Sequence, residues 1–158
     1  MRVDQLMTKK VKWCGPDDTL DRAAQLMWDN DCGCLPVCTV DGTNRVVGVV
    51  TDRDICMSAL FQGKALRELR VSNAMARVLK ACHPSDSLAD AEKSMSEARI
   101  RRLPVVDDQG CLVGMIALAD LAREAAREHA EGKSDVAEAA VGDTLAAICR
   151  PLSQQLAS

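Results

Sequence analysis

The chain has 158 residues, of which 47% are hydrophobic, and this is enough for one compact domain or for two small domains that share a core. Its net charge of -3 and its 2% of aromatic residues provide neither the positive field nor the stacking surfaces that nucleic-acid binders use, so nucleic acid is a poor candidate partner. No apolar run approaches the roughly 18 residues of a membrane span, and the charged N-terminus lacks the apolar stretch of a secretion signal. We therefore expect a cytoplasmic protein without a membrane partner.

The first half of the chain predicts a helix, a hairpin and a second helix. Proline and short oxygen-bearing side chains at residues 16–19 predict a turn and a helix start, because such side chains accept the first free N–H groups. Apolar residues at helical spacing from Leu20 to Met27 predict the helix itself. Two short apolar runs, 34–38 and 46–50, are joined by an Asp-Gly turn signal and predict a β-hairpin, and a further helix begins near Asp54.

The second half of the chain repeats this pattern. Pro36 corresponds to Pro104, 68 residues further along the chain, and the register holds without a gap as far as the hairpin turn. The second copy is two residues shorter after that turn, so Asp54 corresponds to Asp120. The predicted order of elements in each copy is β-α-β-β-α, which indicates an α+β protein of two repeated units. We expect the units to pack sheet to sheet with pseudo-twofold symmetry and to leave clefts between them.

Three helical segments connect or extend the repeated pattern. Residues 56–69 predict a helical linker that carries the chain from the first copy to the second. Residues 118–131, rich in Ala, Glu and Arg, extend the last helix of the second copy, and residues 136–148 form a separate amphipathic stretch. The expected division of the chain is 1–65 for the first domain with its N-terminal and linker helices, 66–130 for the second domain, and 131–158 for a C-terminal helical tail.

The order and spacing of these motifs resemble those of the CBS domain family. The matching segments of the first copy are Leu35-Pro36-Val37 and Gly48-Val49-Val50-Thr51-Asp52-Arg53-Asp54, and the second copy repeats them in residues 101–107 and 114–120. The resemblance covers about residue 3 to about residue 125, with the whole ordered set present twice. It implies a tandem pair of CBS domains, or Bateman module, that binds an adenine nucleotide and is not an enzyme.

The Gly-h-h-Thr/Ser-x-x-Asp motif of this family has a physical logic that the spacing supports. Gly48 permits close approach of a ligand to the strand, Thr51 sits at the strand-to-helix junction, and Asp54 follows about one helical turn later. Free N–H groups at the helix start and the Thr51 hydroxyl suit a phosphate, whereas a carboxylate accepts hydrogen bonds from a ribose diol. Arg53 is a candidate for neutralising the phosphate. The polarity of this junction would therefore orient a nucleotide.

The second copy departs from the motif. Ala117 stands where the family usually has Thr or Ser, so this copy lacks the hydroxyl but retains Asp120. It also carries Arg101 and Arg102 just before its Leu-Pro pair, where nucleotide-binding relatives often have a basic pair and the first copy has none. We therefore expect unequal affinities for the two clefts.

Other interpretations of these residues remain open. An alternative role for Thr51 and Asp54 is helix capping, which ordinarily contributes about 1 kcal/mol. Instead of binding a ligand, Arg101 and Arg102 could be charged side chains exposed to solvent, and the two Leu-Pro pairs could be structural residues of their strands. The resemblance implies nucleotide contacts for Val11, Leu35, Pro36, Thr51, Asp52, Arg53 and Asp54 in the first copy, and for Val78, Arg101, Arg102, Leu103, Pro104 and Asp120 in the second.

The eight cysteines are expected to be reduced thiols, since no secretion signal places the chain in an oxidising compartment. The group Cys32, Cys34 and Cys38 suggests a metal site, but its spacing offers no clear fourth ligand, and free cysteine also packs as a small hydrophobic residue. The two histidines, His83 and His129, have no nucleophile and orienting acid in the pattern that acyl transfer needs. We therefore expect neither a required metal nor catalysis.

The function expected from the sequence is regulatory. A nucleotide sensor would bind AMP, ADP or ATP, or else NAD(H) or S-adenosylmethionine, and would signal to an unidentified regulated protein by a shift between conformations. Bateman modules commonly pair, so the resemblance also implies a homodimer. Two alternatives remain: a redox or metal-binding protein based on cysteine, and a protein-interaction scaffold without a ligand.

Overall fold

The computed structural model of the protein describes residues 1–77, 80–133 and 136–150. Helices and strands follow one another in the order expected of a repeated α+β protein, so the predicted fold class is confirmed. In chain order the elements are α1 (Val3–Leu6), α2 (Leu20–Asp29), β1 (Cys34–Cys38), β2 (Val46–Thr51), α3 (Asp52–Gln62), a 3-10 turn (Leu66–Glu68), α4 (Val71–Ala74), α5 (Leu88–Ala98), β3 (Arg102–Val106), β4 (Leu112–Ala117), α6 (Leu118–Ala130) and α7 (Glu138–Ile148).

Each copy of the repeat builds a two-stranded sheet, β1 with β2 and β3 with β4. The strand predicted at the start of each copy is reduced to a single parallel bridge, from Cys14 to Val37 in the first sheet and from Cys82 to Val105 in the second. A proline follows each bridging cysteine by two residues and has no N–H with which to extend the pairing. The hairpins therefore form the main part of each sheet.

The compact units of the molecule do not follow the order of the chain. The first unit, which contains the first copy, falls within Lys10–Leu79 and Val106–Leu112. The second unit falls within Met1–Lys9, Lys80–Val105 and Val113–Ser158. Packing therefore groups the N-terminal segment with the second copy and the segment that contains α4 with the first, whereas the expected division at residues 65 and 130 was consecutive.

Backbone hydrogen bonds fix each of these segments to the hairpin of its unit. In the first unit the N–H of Ala76 donates to the carbonyl oxygen of Val49 at 2.9 Å, and the N–H of Val49 donates back at 3.1 Å. In the second unit Thr8 and Met115 exchange the same two bonds at 2.9 and 3.0 Å. A valine from each preceding short helix, α1 and α4, is fully buried in the core of the same unit. Each segment therefore covers one edge of a sheet.

Helix α3 ends earlier than the sequence predicted. The prediction of one helical linker over residues 56–69 is wrong, because the helix stops at Gln62 and a separate 3-10 turn follows. Gly63 adopts a left-handed φ of 60° and its N–H donates to the carbonyl oxygen of Ala59 at 2.9 Å. Glycine adopts this conformation without a Cβ penalty and terminates the helix there.

Each unit has its own hydrophobic core. The apolar face predicted for the first helix of each copy is buried against the hairpin of that copy, and burial of each large apolar side chain contributes about 1.5–3 kcal/mol. The helix residues concerned are Leu20, Ala23 and Met27 in the first unit and Leu88, Ala91 and Met95 in the second.

The C-terminal helix α7 packs on α5 and α6 of the second unit. The buried carboxylate of Glu128 accepts the N–H of Val136 at 2.7 Å just before α7 begins, and Val141 and Ile148 pack against the second core. The predicted tail at 131–158 is thus helical over Glu138–Ile148, and its last eight residues lie outside the described part. Among the described residues, no helix is long and apolar enough to cross a membrane.

Candidate functional site

The junction between β2 and α3 contains the motif residues of the first copy. Thr51 is the N-cap of α3, and its hydroxyl accepts the N–H of Asp54 at 3.2 Å while donating to Oδ2 of Asp54 at 2.7 Å. The backbone N–H of Thr51 donates to the same carboxylate oxygen at 2.9 Å. Both side chains are half-buried. Thr51 and Asp54 therefore form a reciprocal capping box, which is the structural role left open by the sequence.

The first N–H groups of α3 have partners within the chain. Asp52 donates to the carbonyl oxygen of Gly33 at 3.3 Å, Arg53 donates to Oδ1 of Asp52 at 2.7 Å, and Asp54 donates to the Thr51 hydroxyl. The expectation that these N–H groups are free for a phosphate is therefore wrong for the first turn. The group left open is Oδ1 of Asp54, to which no described residue donates a hydrogen bond.

The corresponding junction in the second copy differs in the groups that donate hydrogen bonds to the two oxygens of its carboxylate. Ala117 caps α6 with its backbone alone, because its N–H donates to Oδ2 of Asp120 at 2.8 Å and no hydroxyl is present. Oδ1 of Asp120 accepts a hydrogen bond from the guanidinium of Arg123, one turn further along α6. The N–H of Leu118 donates to the carbonyl oxygen of Arg101 at 2.9 Å, as Asp52 does to Gly33 in the first copy. The second carboxylate therefore has both oxygens engaged.

The Leu-Pro pairs that precede the junctions have packing roles. Leu35 and Leu103 are fully buried and belong to the cores of their units. Pro36 and Pro104 are also buried, and their carbonyl oxygens accept the N–H of the bridging cysteines at 3.1 and 3.0 Å. These contacts correspond to the structural interpretation of the two pairs.

The remaining predicted residues are spread over the two units. The side chains of Asp52, Arg53 and Arg101 are exposed, and Arg102 is half-buried at the start of β3. Val11 is half-buried in the irregular segment before the bridge at Cys14, away in sequence from the motif. Val78 lies outside the described residues. The structure thus brings the motif residues of each copy together within that copy, at the junction of strand and helix.

Sequence reasoning missed Arg123 as a residue of the second junction. Its side chain is 73% exposed, whereas that of its partner Asp120 is only 13% exposed. The signal was present, because an acid followed three residues later by a base on a predicted helix places the two side chains on one face. The equivalent residue of the first copy is Met57, which carries no charge.

The buried cysteines have the properties of core residues. Burial raises the pKa of the Cys14 thiol to about 12, of Cys38 to about 11 and of Cys82 to about 12, with smaller contributions from neighbouring acidic groups and thiols. Since the thiolate is the form that binds metals and attacks disulfides, these three thiols are poor ligands and nucleophiles. Within residues 1–77, 80–133 and 136–150, no three His, Cys, Asp or Glu side chains are grouped so that they could hold a metal ion.

Comparison with known proteins places this geometry in a family. The CBS domain family matches residues 3–60 and 71–127. The CBS domain-containing protein YhcV of Bacillus subtilis (strain 168) is 40% identical over 120 residues, which cover 76% of this chain and 82% of that protein.

Solved structures agree with the sequence matches. CBSX2 in complex with AMP is 27% identical, with a TM-score of 0.70 over 81% of this chain and 98% of that chain. Hypoxic Response Protein I with two coordinated zinc ions is 31% identical, with a TM-score of 0.70 over 78% of this chain and 98% of that chain. From its two matched segments, its repeated fold and these relatives, the chain belongs to the CBS domain family and contains two CBS domains in tandem.

Proposed function

We propose that this chain is a regulatory module that binds an adenine nucleotide, performs no chemistry of its own, and passes the nucleotide state of the cell to a partner protein. Support comes from the family and from the AMP that CBSX2, a structural relative, binds. In this proposal the ligand is AMP, ADP or ATP, with NAD(H) and S-adenosylmethionine as further adenine-containing candidates. The cytoplasm is the proposed location.

The observation that carries the proposal is the open oxygen of Asp54. Oδ2 of this carboxylate is held by the backbone and hydroxyl of Thr51, at 2.9 and 2.7 Å, so the orientation of the carboxylate is set before any ligand arrives. Oδ1 has no donor among the described residues. A carboxylate oxygen accepts hydrogen bonds only, so a ribose hydroxyl is a suitable donor for it. Preorganisation of this kind reduces the ordering cost of binding.

Charged groups near the two junctions provide candidate phosphate contacts. Arg53 is exposed immediately before Asp54, and Arg101 is exposed just ahead of β3 in the second copy. Arginine is suited to this role because its planar guanidinium binds phosphate oxygens in pairs. We assign Arg53 to the phosphate end and Asp54 to the ribose end of a ligand at the first junction. We assign Arg101 and the half-buried Arg102 to the phosphate end of a ligand at the second junction.

The proposed output is a population shift. A nucleotide changes the balance between two arrangements only by the difference in its affinity for them, and a separate protein reads that balance. We propose a homodimer as the assembly and a protein encoded elsewhere as the regulated partner. If no adenine ligand binds, the remaining candidate function is that of a protein-interaction scaffold that has no ligand.

A thermal-shift panel with AMP, ADP, ATP, NAD(H) and S-adenosylmethionine tests the proposal. A ligand at 100 times its Kd stabilises the folded state by about 2.7 kcal/mol, which corresponds to roughly 5–10 °C for a chain of this size. We expect Asp54→Ala to diminish the shift for the ligand that binds wild type, because only the second copy would still bind it. No shift with any ligand, or an undiminished shift in Asp54→Ala, would contradict the proposal.

The chain offers a matched control for this experiment. Ser87 and Asp90 form the same kind of cap at the start of α5, with the Ser87 hydroxyl accepting the N–H of Asp90 at 3.1 Å and donating to its Oδ2 at 2.6 Å. This cap lies outside the family motif. Asp90→Ala should therefore lower the melting temperature as a lost cap does, yet retain the nucleotide-induced shift.

Metal binding is the second candidate function, because Hypoxic Response Protein I is a structural relative with two coordinated zinc ions. The raised pKa values of Cys14, Cys38 and Cys82 oppose it for those thiols. Elemental analysis of the purified chain tests this candidate. Stoichiometric zinc that survives dialysis would favour it over the nucleotide proposal.

A further inference from the structure

The two copies of the repeat present their motif carboxylates in different states. Asp54 and Asp120 occupy the same position, and each accepts the backbone N–H of its own cap residue through Oδ2, at 2.9 and 2.8 Å. Their second oxygens differ. Oδ1 of Asp54 has no donor among the described residues, whereas Oδ1 of Asp120 is bound by Arg123.

One residue position accounts for this difference. Arg123 follows Asp120 by three residues on α6, and side chains at that spacing meet on one face of a helix. The corresponding residue on α3 is Met57, which follows Asp54 at the same spacing and whose side chain has no hydrogen-bond donor. The internal repeat therefore supplies its own comparison, since the same carboxylate is found with and without a cation beside it.

We propose that Arg123 occupies the ligand-facing oxygen of Asp120, so that the first copy binds a nucleoside diol more tightly and the second copy binds one only when the diol displaces Arg123. This inference rests on the proposed function and assigns the order in which the two motifs are filled. Arg123 is a specificity-determining residue in this account, acting on the ligand through Asp120.

Competition at Asp120 follows from the strengths of the two donors. The bond from Arg123 is charge-assisted, whereas a ribose hydroxyl is a neutral donor, and charge-assisted bonds are the stronger. Arg123 itself is 73% exposed, so solvent screens the pair and keeps its contribution small. Exposed pairs of this kind correspond to a change in affinity of about two- to fivefold. Displacement by a ligand is therefore attainable at higher concentration.

Isothermal titration with AMP tests the inference, with one copy silenced at a time. In the Asp54→Ala background, Arg123→Met should tighten binding at the second copy by about two- to fivefold, because Oδ1 becomes available. In the Asp120→Ala background, Met57→Arg should weaken binding at the first copy by a similar factor. Arg127→Met, which removes the same charge from α6 one turn further on, is the matched control and should leave both affinities unchanged. Asp54→Asn and Asp120→Asn replace any background variant that does not fold.

The outcomes separate this inference from the proposed function. If AMP does not bind wild type, the titrations use the ligand of the thermal-shift panel that does, and absence of binding by every ligand of the panel removes the proposed function and the inference with it. Binding to wild type, combined with affinities that neither Arg123→Met nor Met57→Arg alters, overturns the inference alone. Equal affinities of the two copies in wild type would overturn it as well.

Discussion

The clearest quantitative prediction concerns the cap hydroxyl that distinguishes the two junctions. Thr51→Ala converts the start of α3 into the arrangement already present at Ala117, where the backbone N–H alone holds the motif carboxylate. Ala117→Thr makes the reverse change. The two cap residues have similar backbone conformations, with φ and ψ of -113° and 163° at Thr51 and -123° and 152° at Ala117. A threonine at 117 can therefore adopt the geometry that it has at 51.

The magnitude follows from the hydrogen bonds that change. Thr51→Ala removes the bond from the Asp54 N–H to the hydroxyl at 3.2 Å and the bond from that hydroxyl to Oδ2 at 2.7 Å, but leaves the backbone bond to Oδ2. Loss of an N-cap side chain costs about 1 kcal/mol, so we expect the melting temperature to fall by roughly 2–4 °C. Ala117→Thr should raise it by a similar amount.

Differential scanning calorimetry of wild type, the two single variants and the double variant measures both changes without ligand. The two caps share no hydrogen-bond partner, so their effects on the free energy of unfolding should add to within about 0.5 kcal/mol. An unchanged melting temperature in Thr51→Ala, together with no gain in Ala117→Thr, would refute the assignment of the hydroxyl as a cap.

Three further predictions concern packing, ionisation and thiol reactivity. Gly48→Ala should destabilise the fold by about 1–3 kcal/mol in chemical denaturation, because its Cβ would lie 2.8 Å from a backbone carbonyl oxygen. Its control is Gly142→Ala, where nothing lies within 4 Å and the same change should stabilise α7 by up to about 1 kcal/mol. Burial raises the pKa of Glu92, one of whose oxygens is buried without a partner among the described residues. The stability lost to this charged carboxylate should be recovered as pH falls toward that pKa, so Glu92→Gln should be more stable than wild type at pH 7 by a margin that narrows as the pH falls. A thiol reagent at pH 8 should label exposed Cys56 in the native protein and Cys82 only after unfolding, as mass spectrometry of the labelled peptides would report.

Each of these predictions has a result that contradicts it. A Gly48→Ala variant as stable as wild type would mean that the segment at Ala76, which pairs with Val49, is not held against β2. A Glu92→Gln variant whose free energy of unfolding depends on pH as that of wild type does would show that burial of the charged carboxylate does not contribute to this pH dependence. Rapid labelling of Cys82 in the native protein would contradict its burial in the second core.

Much of the fold was predictable because its signals are local. Thr19 and Ser87, with apolar faces behind them, marked the helix starts, and α2 and α5 begin at Leu20 and Leu88. The Ser87 hydroxyl caps its helix as expected, whereas the Thr19 side chain makes no capping hydrogen bond. The hairpin turns follow from Gly42 and Gly110, which adopt positive φ values of 90° and 79°. Repetition strengthened each of these signals, since the same pattern appeared twice.

The exchange of segments between units could not be predicted from the sequence. Thr8 and Ala76 each join a sheet through a single bridge, and one residue is too short to leave a period-2 pattern. The choice of partner is decided by burial of the valines in α1 and α4, which is a tertiary effect. A consecutive division of the chain was the only one that local signals could supply.

The site was predictable in position but not in detail. Spacing placed Thr51 and Asp54 at one strand-to-helix junction, and the structure joins them by hydrogen bonds. Side-chain rotamers decide which oxygen of a carboxylate stays open, and nothing in the spacing specifies them. The bond between Arg123 and Asp120 likewise depends on side-chain rotamers that the spacing does not specify. Val78, another predicted site residue, lies outside the described residues.

The attachment of the N-terminal segment to the second unit has a consequence for synthesis on the ribosome. Val3 and Asp4 donate their N–H groups to the carbonyl oxygens of Asp86 and Pro84, and Thr8 pairs with Met115, so Thr8 must wait for the synthesis of about 107 further residues (115 − 8) before its partner exists. At translation rates of about 5–20 residues per second, that wait lasts roughly 5–20 s. The first unit needs no residue beyond Leu112 and is complete earlier. A bulky N-terminal fusion would therefore hinder maturation of the second unit selectively, and a C-terminal fusion leaves this step unobstructed.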